Sequence, residues 1–160
     1  GLGSAIVSIV GQNNGAKKFN RVKECVDLCT KYGLVLIATA SVILLLFAAP
    51  LVRLFTHDPE VVEVGTTYIR IMTCIQWAYV MTFIHIGFLQ ALKKPMYGFV
   101  ESIIRKIVLP VGVYHVLVTI LGVAITGFWF GMVGVNLLMT VVTVVYAQGI
   151  LRRTLGGHSS

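Results

Sequence analysis

Gly33-Leu34-Val35-Leu36-Ile37-Ala38-Thr39-Ala40-Ser41-Val42-Ile43-Leu44-Leu45-Leu46-Phe47-Ala48-Ala49-Pro50-Leu51-Val52-Arg53-Leu54-Phe55 carries no charge before Arg53. A helix needs about 20 consecutive apolar residues to cross the hydrocarbon core of a bilayer, and this stretch supplies them. Pro50 falls near its end, where a loosened last turn is tolerated. Three further apolar stretches follow: Pro59 to about Leu92, Met96 to about Ala124, and Phe128 to about Leu151. The expected fold is all-α, a polytopic membrane bundle of four complete transmembrane helices over residues 32–153.

Composition agrees. Hydrophobic residues make up 57% of the chain and charged residues only 12%, against roughly a quarter charged in soluble domains. A water-facing surface cannot be covered with so few charges, whereas lipid demands an apolar exterior. The net charge of +7 does not point to nucleic acid. The basic residues cluster between apolar runs instead of forming a stripe interleaved with aromatics. The six acids make no constellation for catalysis. Cys25 and Cys29 share a helix face, but the three cysteines have no framework spacing, so neither a metal site nor a disulfide framework is indicated.

The junctions are readable. Residues 1–10 are apolar with no basic residue before them, so they read as the end of a preceding membrane helix and not as a signal peptide. The chain is therefore expected to be a piece of a longer one. Gly11-Gln12-Asn13-Asn14-Gly15 reads as a turn. Residues 17–31 read as an amphipathic interfacial helix, with Phe19, Val22, Val26 and Cys29 on one face and Lys17, Lys18, Arg21, Lys23 and Lys31 on the other. Asp58-Pro59-Glu60 has the chemistry of a helix start: an N-capping carboxylate, a proline at the first position, an acid in the first turn. Lys93-Lys94-Pro95 ends the second span. Glu101 and Arg105 can pair on one helix face, and Pro110 with Gly112 predicts a kink within the third span.

Several stretches resemble one family. Val10-Gly11-Gln12-Asn13-Asn14-Gly15-Ala16 resembles the "GQNxGA" segment of multidrug-and-toxin-extrusion (MATE) transporters. Phe47 to Val61 (FAAPLVRLFTHDPEV) resembles the family's "FAxPLxxLFTxDPEV" junction, followed by Tyr68-Ile69-Arg70-Ile71 for "YLRI". Leu89-Gln90-Ala91-Leu92-Lys93-Lys94-Pro95 is similar to "LQGxGxxxxP", with Ala91 and Leu92 in place of glycines. Arg105 followed by Leu109-Pro110 resembles "LRxPL" of the second lobe. The resemblance implies the C-terminal part of the second of two helical lobes, in a secondary active antiporter. Na⁺ or H⁺ entry would drive export of organic, often cationic, drug-like compounds, with no other cofactor. It implies as partners the bilayer, a small organic substrate and an N-terminal lobe. A lipid-linked oligosaccharide flippase of the same superfamily, or a small membrane scaffold, are the alternatives.

Polar residues inside the spans are the candidates for function. Helical spacing puts Gln76, Tyr79, Phe83 and Gln90 on one face of the second span, and Arg70, Cys74, Met81 and His85 on another. Rings and neutral amides suit flat organic cations, so Gln76, Tyr79 and Phe83, with Tyr114 and Asn136, are the candidate cavity residues. No residue is assigned to ion coupling. Glu60 and Glu63 lie at the start of the second span, and Glu101 is expected to pair with Arg105. The coupling carboxylate is expected outside these residues.

Orientation follows from charge. Basic residues occupy the loop after residue 11, the Lys93–Lys106 region and Arg152-Arg153, while the turns around 56–63 and 124–128 contain none. The positive-inside rule places the basic regions, with the tail 154–160, at the cytoplasmic face of a cell membrane. Cysteines introduced singly into a background lacking the native ones test this. In intact cells, an impermeant maleimide is expected to label position 57 and spare position 94; the reverse pattern would invert the topology.

Overall fold

The computed structural model describes residues 2–120, 122 and 125–156. Seven α-helices are ordered α1 (Leu2–Gly15), α2 (Phe19–Arg53), α3 (Pro59–Thr73), α4 (Gln76–Ala91), α5 (Pro95–Ile103), α6 (Leu109–Tyr114) and α7 (Ile125–Gly156). Two π-helical segments, Ile104–Val108 and His115–Ile120, join α5 to α6 and extend α6. By length and apolarity, α2 and residues Gly127–Thr154 can each cross a membrane, and the α3–α4 pair is long and apolar enough for a third crossing when its two bent halves are counted as one span. Residues 95–120, where the sequence suggests a further span, follow one continuous helical path divided by the π segments. The expected tail lies outside the described residues from 157 onward, as do parts of the 124–128 junction.

Several boundaries differ from those expected. Residues 17–31 and the span after Gly33 form one uninterrupted helix, α2. Gly33 has no proline or second turn residue beside it and is buried within the helix, so nothing breaks the backbone there. The Gly11–Gly15 segment stays helical, and the turn falls at Ala16–Lys18. There, Lys18 N–H donates to Asn13 O (2.8 Å) and Lys17 N–H to Asn14 O (3.1 Å), with Lys17 at φ 55°. This is a Schellman ending, in which the left-handed residue is usually glycine. The same ending closes α4: Lys94 N–H donates to Leu89 O (3.0 Å), Lys93 N–H to Gln90 O (3.0 Å), and Lys93 has φ 59°. Both turns place a lysine pair at the negative end of a helix dipole, which partly offsets the cost of the left-handed conformation.

The second span is broken, not merely tilted. α3 and α4 meet at an angle of 46°. No proline or glycine causes the break. Thr73 Oγ1 donates to Ile69 O at 2.7 Å, competing for a carbonyl of the helical ladder. Ile75 N–H then bonds Met72 O and Ala78 N–H bonds Ile75 O, three residues back in each case. The start of α3 is as the sequence indicates: Asp58 Oδ1 accepts from Glu60 N–H at 3.0 Å, with Pro59 at the first position. In the third span, Leu109 N–H reaches back five residues to Ile104 O. This wider turn accommodates the Pro110 ring, which cannot sit in a regular α-ladder.

α4 is the central helix and packs against α1, α2, α5 and α7. Its core side chains Ile84, Phe88 and Leu89 meet Ile6 and Val10 of α1, Val22 and Val26 of α2, and Ala147 of α7. The outer face of α2, by contrast, exposes Leu36, Ile43, Leu46 and Phe47. That face can be apolar because lipid is its solvent. Trp129 is buried against Tyr68 (centroids 5.6 Å apart), and Tyr146 stacks on Tyr97 (4.6 Å). Trp129 thus packs between helices, while Tyr146 stays partly exposed beside its stacking partner.

At Gly87 the contact with α1 leaves no room for a side chain: a Cβ would collide with Ile6 Cγ2 and approach Gly3 O at 3.2 Å. Such close approach is how helices gain packing energy in lipid, where the hydrophobic effect does not drive their association. Gly134 on α7 faces open space. Alanine is intrinsically better than glycine in a helix by about 1 kcal/mol. Gly134→Ala is therefore expected to hold or raise the thermal midpoint of the purified protein, and Gly87→Ala to lower it. Equal rises at both positions would contradict the α1–α4 packing.

Candidate substrate groove

The break between α3 and α4 turns Gln76 outward at the first position of α4. Tyr79 and Phe83 follow at spacings of three and four residues, on the same face. All three line a groove of about 440 Å³. Tyr68 and Met72 of α3 form one wall, and Glu101, Arg105 and Lys106 of the third span form the other. Phe83 is largely exposed here, while Gln76 and Tyr79 are half-buried. Three of the five candidate cavity residues are thus brought together.

Tyr114 and Asn136 are not in the groove. Tyr114 is exposed and meets Phe128 edge-on at 5.9 Å. Asn136 is buried behind the groove on α7, where its side-chain amide donates to Met132 O at 2.8 Å. Its backbone carbonyl accepts from Thr140 Oγ1 at 2.8 Å. Gln90 is exposed at the penultimate position of α4.

The polar centre of the site is Arg105. Glu101 and Arg105 are only 4% and 5% exposed, so the pair lies inside the bundle. Arg105 Nε is 2.6 Å from Glu101 Oε1, an ion pair by distance although those two atoms lack the alignment of a hydrogen bond. Arg105 Nη2 donates to Thr82 Oγ1 of α4 at 2.9 Å and approaches Thr140 Oγ1 of α7 at 3.4 Å. The two hydroxyls lie 3.0 Å apart, and Thr140 Oγ1 also approaches Ala78 O at 3.2 Å. The guanidinium carbon stands 5.7 Å from the Tyr79 ring centroid, within cation–π range.

Burying a guanidinium costs several kcal/mol. Hydrogen bonds to a charged group return about 1.5–3 kcal/mol each, so one acid alone would not offset that cost. Contacts from three helices are what make the position tenable. The two threonines look in sequence like ordinary small residues. Nothing in the periodicity of α4 or α7 sets them apart, because the residue they serve lies on another helix.

Arg105 and Lys106 also change the reading of charge. They lie ten residues and more beyond Pro95, about 15 Å along the helix. They are therefore residues of the span itself, and only Lys93 and Lys94 mark that turn as basic.

The other ionisable candidates are elsewhere. Arg70 lines a separate depression of about 660 Å³ between α2 and α3, with Arg53, His57 and Glu63. His85 is buried on the opposite face of α4, its Nδ1 2.7 Å from Met81 O. It borders a cavity of about 80 Å³ that also touches Asp27 and Gln148.

A bent helix at mid-span, beside a groove lined with rings and polar groups, is the architecture of a membrane transporter. The chain matches the MatE family model over residues 1–114 and belongs to the MATE family. It is 32% identical over 108 residues to a FAD transporter of Shewanella oneidensis, covering 68% of this chain and 24% of that protein. It is 25% identical over 133 residues to the probable multidrug resistance protein NorM of Thermotoga maritima, covering 83% and 29%. The fold superposes on an inward-facing multidrug resistance MATE transporter of the MOP superfamily with a TM-score of 0.89. Identity there is 16%, over 99% of this chain and 36% of the other. The MATE transporter ClbM in complex with Rb⁺ gives 0.83 at 21% identity, over 97% and 37%. The chain spans about a quarter of the length of the curated relatives it matches.

Proposed function

We propose that these residues form the C-terminal part of the second lobe of a secondary active efflux transporter. It exports small organic compounds against Na⁺ or H⁺ entry, and its basic turns and C-terminus face the cytoplasm. The observation that carries this reading is the groove: Gln76, Tyr79 and Phe83 share it with Tyr68 and Met72, at the break in a spanning helix. Flat organic molecules are held by such surfaces, with few polar groups to orient them. The names of the relatives, a FAD transporter and a probable multidrug resistance protein, support an organic substrate.

The groove is open on one side, so a substrate would be enclosed only with a second lobe against it. Alternating access then comes from one lobe rocking against the other around a site between them. The coupling carboxylate is assigned outside this segment. Glu60 and Glu63 are exposed at the start of α3, and Glu101 is engaged with Arg105. The cations Arg105 and Lys106 in the groove favour one second reading, a flippase of the same superfamily that takes an anionic lipid-linked headgroup.

Transport in proteoliposomes separates these cases. The full-length protein is expected to move a soluble aromatic compound when an inward Na⁺ or H⁺ gradient is imposed, and residues 1–160 alone are expected not to. Glu60→Gln and Glu63→Gln should each retain ion-driven transport. Gradient-independent movement of a lipid-linked sugar, with no movement of soluble compounds, would favour the flippase. Ion-driven transport by residues 1–160 alone would overturn the need for a second lobe.

A further inference from the structure

The charge in the groove is opposite to what an organic cation needs. Among the described residues, Glu101 is the single acid that lines it, beside two cations, Arg105 and Lys106, of which Arg105 is its ion-pair partner. Tyr79, the ring nearest the polar centre, already has the Arg105 guanidinium over it at 5.7 Å. A cationic ligand at this ring would meet a fixed like charge at close range.

The two members of the ion pair are also held unequally. Arg105 is tied to Thr82 of α4 and Thr140 of α7 as well as to Glu101. Glu101 Oε1 is buried with no hydrogen-bond partner, and its one ion-pair contact is Arg105. When a charged ligand enters, Glu101 is the member that can give way, and Arg105 is the member that stays.

From this asymmetry we infer that the groove recognises an aromatic compound bearing an anionic group. Its ring lies along Tyr79 and Phe83, and its anion is taken by Arg105 and Lys106 in competition with the Glu101 carboxylate. The inference rests on the transporter reading above and narrows its substrate class. Arginine suits the role because its planar donor fork matches carboxylate, sulfonate and phosphate oxygens. Lys106, exposed at the groove, adds a second positive charge without being needed to hold the bundle together.

Two probes with the same ring and opposite charge test the inference: naphthalenesulfonate and naphthyltrimethylammonium. Each is titrated by fluorescence against the full-length transporter in phosphatidylcholine nanodiscs at low ionic strength. The anion is expected to bind more tightly than the cation. Arg105→Gln should weaken the anion roughly tenfold or more, the loss of a charge-assisted contact, and Lys106→Gln should weaken it by a smaller factor. Glu101→Gln should tighten the anion and weaken the cation. A purely structural role for the pair would shift both probes the same way. Lys106→Gln keeps the test decisive if the buried variants fail to fold.

Pyrophosphate, an anion without a ring, should compete poorly, and competition equal to the sulfonate would contradict the aromatic half of the inference. Tighter binding of the cation, abolished by Glu101→Gln, would overturn the inference and leave the transporter standing. So would a protein that transports yet binds neither probe. Absence of ion-driven transport of any organic compound would instead remove the reading on which the inference rests.

Discussion

A guanidinium inside a bilayer-spanning bundle must find its partners within the protein, and Arg105 finds them on three helices. Its acid comes from its own span, one turn away. Its hydroxyls come from Thr82 on α4 and Thr140 on α7. These contacts fix how the third span sits against the other two, and so fix the wall of the groove. The π-helical segment that contains Arg105 and Lys106 is the local adjustment to Pro110. It puts two adjacent basic residues at the groove, in a stretch where lipid would tolerate neither.

The break between α3 and α4 supplies the other half of the site. A straight helix from Pro59 to Ala91 would present Gln76 as one more position along a ladder. The 46° bend makes it the first residue of a new helix at the edge of the groove. Neither helix-breaking residue type is present, so the bend depends on Thr73 bonding back to Ile69 and on the tightened bonds at Ile75 and Ala78. Backbone irregularity in a membrane protein is tolerable where it borders a polar cavity, and this one borders the groove.

The sequence made the class and most of the spans legible, because hydrophobic length and the Asp58-Pro59-Glu60 start signal are local properties. It also placed Gln76, Tyr79 and Phe83 on a shared face, since helical spacing alone decides that. Tyr114 and Asn136 join them only as polar residues deep inside other spans. Depth carries no information about which way a helix is rotated, and the structure sets both residues apart from the groove. The turn at Ala16–Lys18 was hidden because lysine, not glycine, occupies the left-handed position. Likewise Thr82 and Thr140 became visible only when the helix carrying Arg105 was packed against them.

Whether the groove opens to water and not to lipid is the claim on which the account turns. In the full-length protein with Cys25, Cys29 and Cys74 replaced, a cysteine at Phe83 can be compared with one at Leu46 on the outer face of α2. The measurement is their rate of reaction with a membrane-impermeant methanethiosulfonate in proteoliposomes. The account predicts reaction at position 83, slowed by a transported aromatic compound, and none at position 46. Equal inertness at both positions would show that the Phe83 face lies against lipid, and would contradict the account.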